Sequence, residues 1–324
     1  MSDGLLFENF PVSRWRLYLT TDTHISQPAY AGSMWRGLFG KALWEMACQQ
    51  PSVACHECTH LADCAYPRLF EVPGTALPWA GGSRAPTAWL VEPAMPDEND
   101  PQRSPGRLYT DFVLIGHAQT FLPLVLMAWQ RGLSHGIGAN RVVGRVESLW
   151  LLEGVETEPT RQCFSPQDGW TVSSNGLVQI PCLPKGLDAL TVELQTPLRL
   201  KRDNDLVGPR EFDPGTFLDA LVRRTSLLAR VHAGAFPEMN FYEMKSRARA
   251  LKMEATSLVW QDWTRFSSRQ KESMQMGGLR GQFRLIGDLS DFWPFLYIAQ
   301  WTHVGKGTSF GLGRIHLKLP SSLS

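Results

Sequence analysis

Residues 305–313 read Gly-Lys-Gly-Thr-Ser-Phe-Gly-Leu-Gly, four glycines in nine positions. They lie between an apolar, helix-like run, Phe292 to Val304, and a short strand-like run, Arg314 to Leu319. That order excludes a dinucleotide fold, in which the glycines follow a strand, open a helix and keep GxGxxG spacing; here Phe310 stands in the third glycine's place. No Gly-Lys-Ser/Thr triplet ends the run, which excludes a phosphate-loop ATPase. What remains is a turn rich in N–H donors and carrying one lysine, suited to bring backbone amides close to a phosphate chain.

Working outward, the stretch has a counterpart. Pro123-Leu-Val-Leu-Met-Ala-Trp-Gln-Arg-Gly-Leu-Ser-His-Gly-Ile-Gly138, then Gly144-Arg-Val, matches Pro294-Phe-Leu-Tyr-Ile-Ala-Gln-Trp-Thr-His-Val-Gly-Lys-Gly307, then Gly313-Arg-Ile, with a gap of two residues. Each copy is an apolar helix, a glycine turn and a strand, and another strand and helix precede each at a distance. Arg14 to Thr20 alternates as a strand, and Met34 to Ala47 puts Trp35, Leu38, Phe39, Ala42, Leu43 and Met46 on one helical face. Thr191 to Leu200 alternates likewise, and Phe217 to Val231, after Pro214-Gly215, puts Leu218, Leu221, Val222, Leu228 and Ala229 on one face. The expected fold is α+β, two βαββαβ units: a first domain over 1–155, an irregular linker over 156–189 and a second domain over 190–324. Residues 73–107, with many Pro, Gly and Ser, read as a long surface loop plus an edge strand.

The 324 residues are 43% hydrophobic and 19% charged, an ordinary globular composition with ample core. No apolar run approaches the ~18 residues of a membrane span, and Met-Ser-Asp-Gly at the start lacks the features of a signal peptide, so the expectation is a soluble cytoplasmic protein without a membrane partner. The net charge of +1 conceals an asymmetry: residues 1–198 hold 13 Lys and Arg against 19 Asp and Glu, and residues 199–324 hold 19 against 12. A basic C-terminal part fits a polyanion partner, and it equally fits plain solvated surface charge.

Three spaced blocks carry a resemblance: Arg265-Phe-Ser-Ser-Arg-Gln270, Gly277-Gly-Leu-Arg-Gly281, and His303-Val-Gly-Lys-Gly-Thr-Ser-Phe-Gly-Leu-Gly-Arg314. With Gly32-Ser-Met-Trp-Arg-Gly-Leu-Phe-Gly40 and Cys64-Ala-Tyr-Pro-Arg-Leu-Phe-Glu71, the chain resembles the CRISPR-associated precursor-crRNA processing endoribonucleases of the RAMP superfamily. The resemblance implies two tandem ferredoxin-like (RRM-like) domains and recognition of a CRISPR repeat RNA. It also implies metal-independent cleavage through 2′-hydroxyl attack, leaving mature crRNA with a 2′,3′-cyclic phosphate. The alternative from another class is a non-catalytic crRNA-binding subunit of a CRISPR effector complex, associated with other subunits.

Cys48, Cys55, Cys58 and Cys64 form C-x6-C-x2-C-x5-C within 17 residues, inside an insertion at 48–66, while Cys163 and Cys182 lie apart. In a cytosolic chain, thiols at this density suit tetrahedral Zn²⁺ in a closed structural site. An iron-sulfur cluster and unligated cysteines are the competing readings, and His56 or His60 stands ready to replace Cys48 as fourth ligand.

Metal-free RNA cleavage needs a proton carrier at the 2′-hydroxyl and a cation at the phosphorane. Among eight histidines, His303, beside the glycine loop, and His24, in the turn after the first strand, are the foremost candidates. Lys306 and Arg36 are the candidate cations. For RNA binding, Gly305, Gly307, Gly311 and Gly313 with Lys306 and Arg314 are expected against the backbone. Lys245, Arg247, Arg249 and Lys252 are expected to clamp a repeat hairpin, and Arg265 and Arg269 to flank a stacking Phe266. The bland readings stand beside these: a helix-terminal hydrogen bond for either histidine, a solvated surface helix for 244–252, and core positions for Trp260, Trp263 and Phe266.

Overall fold

The computed structural model describes residues 8–25, 27–28, 30–70, 85–94, 106–155, 158–171, 176–234, 239–255, 257–267 and 272–320, without the side chains of 255, 265–267 and 272–275. The chain divides into two compact units: residues 11–176 with 231–233, and residues 1–10, 177–230 and 234–324.

The first unit runs β1 (Val12–Thr21), α1 (Gly32–Ala47), α2 (Ala65–Leu69), β2 (Trp89–Pro93), β3 (Arg107–Ile115), α3 (Leu122–Ser134), β4 (Gly144–Leu152), β5 (Arg161–Ser165) and β6 (Gly169–Trp170). Its antiparallel six-stranded sheet has the order β2-β3-β1-β4-β5-β6. Alternation along β1 sends Trp15, Leu17 and Leu19 into one core with Trp35, Phe39 and Leu43 of α1 and Val125, Trp129 and Leu133 of α3. Phe39 stacks on Trp89 at 4.4 Å, and Trp129 meets Trp35 edge-on at 6.0 Å. The opposite face of β1 is charged and still covered: Arg14 pairs with Glu92 at 3.0 Å, both 1% exposed, and Arg16 pairs with Asp111 directly across the ladder at 2.8 Å. At Gly40 an added Cβ would fall 2.2 Å from the ring of Phe70, so the missing side chain is what lets the end of α2 seat against α1.

Part of the expected linker is sheet. β5 pairs with β4, Arg161 opposite Leu151 and Phe164 opposite Leu149, and Cys163 is fully buried in the core. Only one side chain of this short run is buried that deeply, so its alternation is too weak to stand out from loop composition. The edge strand expected within 73–107 is β2, while most of the loop expected there lies outside the described residues.

The second unit runs β7 (Ala189–Leu198), α4 (Pro214–Leu228), α5 (Phe241–Ala250), β8 (Lys252–Ala255), β9 (Val259–Ser267), β10 (Glu272–Ile286), α6 (Trp293–Thr302) and β11 (Ile315–Lys318). Its sheet has the order β8-β10-β7-β11, with β9 also paired to β10, all antiparallel. β10 pairs with β9 along its first part and β8 along its last, and with β7, against which its register shifts between Leu279 and Gly281, where Gly281 has φ +113°. α4 starts cleanly: Asp213 accepts from the Thr216 amide at 2.9 Å and Pro214 follows it. The core gathers Phe217, Leu221 and Val222 of α4, Phe283 and Leu285 of β10, and Phe295, Ile298 and Trp301 of α6. In both units two helices fill the same places in the chain order, between the first and second and the third and fourth strands of a 2-3-1-4 sheet. Among the described residues, no helix is long and apolar enough to cross a membrane.

Candidate nucleic-acid interface

The glycine loop joins α6 to β11 and is folded tightly upon itself. Gly305, Gly307, Gly311 and Gly313 all have φ between +72° and +87°. A Cβ at Gly313 would stand 1.9 Å from the Val304 carbonyl oxygen, and one at Gly305 would stand 2.4 Å from that of Arg199. Six amides of the loop and its exit do not face outward as expected from the sequence. Those of Lys306 and Gly313 donate to the carbonyls of Arg199 and Pro197 at the end of β7, those of Phe310, Gly311 and Leu312 bond within the loop, and that of Arg314 donates to Thr196 Oγ1. A buried, compact turn must satisfy its own donors, and β7 supplies the acceptors. The loop therefore presents side chains, above all the exposed Lys306.

His303 opens the loop with φ +60° and is 1% exposed. Its Nδ1 lies 3.1 Å from the Leu312 carbonyl, so the imidazole bridges the two ends of the loop. Arg224 of α4 donates from Nε to the carbonyls of Thr302 and His303 at 3.0 and 3.1 Å, a cation at the C-terminus of α6. Burial pulls its guanidinium down to about 10.

Arg199 belongs to none of the sequence motifs. It sits at the end of β7 under the loop; its Nη1 lies 2.8 Å from Met276 Sδ, its buried Nε has no hydrogen-bond partner among the described residues, and burial pulls its pKa down. Its position directly after a strand, just ahead of two other cations, Lys201 and Arg202, is the signal the sequence offers.

The basic helix is real, and part of its charge is already matched. In α5, Met244 and Ala248 are buried, Lys245 pairs with Asp219 at 3.5 Å, and Arg247 pairs with Glu243 at 2.6 Å and with Asp291. These hydrogen bonds, Glu243 first, push the Arg247 guanidinium up. Arg249 is exposed on the helix, which ends at Ala250, and Lys252 is exposed as the first residue of β8 rather than on the helix. The helix also carries Tyr242, 85% exposed, one turn before Lys245 and two before Arg249 on the same face. Helical spacing alone is enough to find it. Arg265 lies in β9, its side chain outside the described residues, and Arg269 lies outside them altogether.

His24 and Arg36 belong to the first unit. His24 is exposed in the connection from β1 to α1. Arg36, half-buried in α1, holds its guanidinium 4.1 Å above the ring of Phe70. His117 and His232 take structural places, their rings 5.0 Å apart and His232 Nε2 2.7 Å from the Pro86 carbonyl.

Cys48, Cys55, Cys58 and Cys64 all line one cavity between the end of α1 and the start of α2, with no disulfide among them. Burial pushes the Cys64 thiol up, and Cys48 and Cys58 add to the shift. Among the described residues no three Cys, His, Asp or Glu side chains stand at metal-ligating distance.

Residues 10–174 match the family model described as AF_1859_N, N-terminal domain, and residues 192–315 match that of CRISPR-associated endoribonuclease Cas6. Residues 192–315 belong to the Cas6 family. The Cas6 match begins in β7 and ends at the first residue of β11, so it takes in the whole glycine loop. Among solved structures, the fold is similar to Thermus thermophilus Cas6 (TM-score 0.53, 14% identity, 95% of this chain and 99% of that one). It is also similar to a chain of a partial Cas6-RT-Cas1–Cas2 complex (TM-score 0.58, 12% identity, 99% of this chain and 48% of that one). No curated protein matches the chain by sequence.

Proposed function

We propose that the whole chain is a Cas6-family protein that binds CRISPR repeat RNA and cleaves precursor crRNA by internal transesterification. The match of the glycine-loop unit to the Cas6 endoribonuclease model carries the reading. The 2-3-1-4 sheet with α1 and α3, or α4 and α6, at matching places in the chain order supports reading both units as ferredoxin-like domains. Binding falls to the second unit: Lys306 and Arg199 meet the RNA backbone, Tyr242 with Lys245 and Arg249 offers a stacking surface between cations, and Arg314 adds charge beside the loop. Cleavage chemistry falls to the segment from β1 into α1, where the exposed His24 exchanges the proton and Arg36 offsets phosphorane charge. The cleaved product keeps its 2′-oxygen on phosphorus as a 2′,3′-cyclic phosphate and releases a 5′-hydroxyl. His303, buried and bonded across the loop, serves the framework instead. The expected partners are crRNA and other CRISPR proteins of the cytoplasm.

The test is incubation of the purified chain with its repeat RNA in EDTA, with both product ends mapped. One cut ending in a cyclic phosphate, abolished in His24→Ala and retained in His24-intact His303→Gln, is the expected result. Tight binding without cleavage would instead make the chain a crRNA-binding subunit, and neither binding nor cleavage would overturn the RNA reading.

A further inference from the structure

The RNA reading gives no task to the segment between α1 and α2. Among residues 48–64 none is buried, so the segment has no apolar core. Its half-buried residues are Cys48, Gln50, Cys55, Cys58, Leu61 and Cys64, so all four cysteines are among the least exposed residues of the segment. The backbone is nevertheless specifically folded. Cys48 ends α1, Cys55 to Glu57 form a short helical turn with Cys58 after it, and Cys64 immediately precedes α2. The amides of Cys48, Cys58 and Cys64 donate to Trp44, Cys55 and His60. All four cysteines line one cavity of about 270 Å³, where the Cys58 thiol donates to Gln50 Oε1 and the Cys64 thiol to the Ala47 carbonyl. A turn without core of its own needs another source of cohesion, and small segments of this kind draw it from a bound metal.

We propose that Cys48, Cys55, Cys58 and Cys64 bind one Zn²⁺ as four thiolates in a closed structural site. Four soft, reduced donors from a short segment suit tetrahedral zinc and leave no position for water. Each thiol gives up its proton to solvent as the sulfur takes the metal, and the thiols close across the cavity to do so. The site ties the start of α2 to the end of α1. Because α2 leads into Phe70, which packs at Gly40 and lies under Arg36, the metal also fixes the seat of that arginine. This inference is independent of RNA cleavage.

The full chain, purified without chelator, is measured for metal content and by zinc-edge X-ray absorption. One zinc per chain with four sulfur neighbours at about 2.3 Å is expected. Cys163→Ser and Cys182→Ser should leave the content unchanged, and Cys58→Ser should lower it several-fold; if Cys58→Ser does not fold, the absorption spectrum of the unaltered chain decides. Stripping the metal with a thiol reagent and chelator should speed hydrogen exchange across Ala65–Leu69 at least tenfold. A nitrogen among the ligands would overturn the four-cysteine set in favour of His56 or His60. Iron in place of zinc, or no metal in freshly prepared protein, would overturn the site.

Discussion

Replacing Gly313 by alanine tests the loop most directly. At φ +72° any residue with a Cβ loses about 1–2 kcal/mol relative to glycine. The Cβ would also stand 1.9 Å from the Val304 carbonyl oxygen and 2.9 Å from its carbon, backbone atoms that no side-chain rotation can clear. The loop must open there, which strains the bond from the Val304 amide to the Gly313 carbonyl, now 2.9 Å, and forfeits about 1 kcal/mol. Together these give a loss of about 2–4 kcal/mol, felt first where α6, the loop and β11 meet. Two units in one chain make a single melting temperature an ambiguous measure. The suitable assay is hydrogen exchange across residues 293–318 as a function of urea, with peptides from β1 and α3 as internal reference. The exchange midpoint of 293–318 should fall while the reference peptides hold. A loss below about 0.5 kcal/mol, the scatter of ordinary surface changes, would refute the tightly closed loop.

Glu92→Gln strands the buried charge of Arg14 and should cost about 3–5 kcal/mol in urea denaturation, with much of that loss recovered in Arg14→Met/Glu92→Leu. At Asp213, burial opposes ionisation, yet the Thr216 amide and hydroxyl and Arg202 outweigh it and hold the carboxyl below its ordinary range. A depressed carboxylate contributes stability above its unfolded pKa of about 3.9 and loses it as pH falls through the folded value. Asp213→Ala should therefore cost about 1 kcal/mol at pH 7, and the gap from the unaltered chain should narrow in acid titrations of stability. Tyr242→Ala should weaken repeat-RNA binding by about 1–3 kcal/mol without moving stability, as measured by filter binding and thermal denaturation. Arg199→Met should lower the slope of log affinity against log salt by about 1, because one phosphate is no longer neutralised.

The repeated helix, glycine turn and strand were legible because apolar periodicity and glycine spacing are both local: α3 with β4, and α6 with β11, follow from them, as do β1, α1, β7 and α4. The β9–β10 hairpin was hidden. Gly277 and Gly278 interrupt its alternation, and Gly277 is required because the Trp260 ring on the neighbouring strand would lie 2.4 Å from a Cβ there, a fact of pairing absent from any single window. Site residues were harder still. His303 and His24 look alike as polar residues near turns, and only a left-handed backbone at position 303 turns one ring inward while the other stays in water. The amides of Lys306, Gly313 and Arg314 read as free donors because the acceptors that take them, Arg199, Pro197 and Thr196, lie about a hundred residues earlier. Arg199 is inconspicuous for the same reason, since its burial comes from what is folded over it.

The bond from the Lys306 amide to the Arg199 carbonyl separates shape from chemistry at position 306. The Lys306 backbone is pinned to Arg199 whatever side chain it carries, so that position is an interchangeable tip on a fixed mount. Under the proposed function, exchanging the tip changes the charge offered to RNA and leaves the mount alone, so binding preference can be altered at one residue without a new loop having to be built.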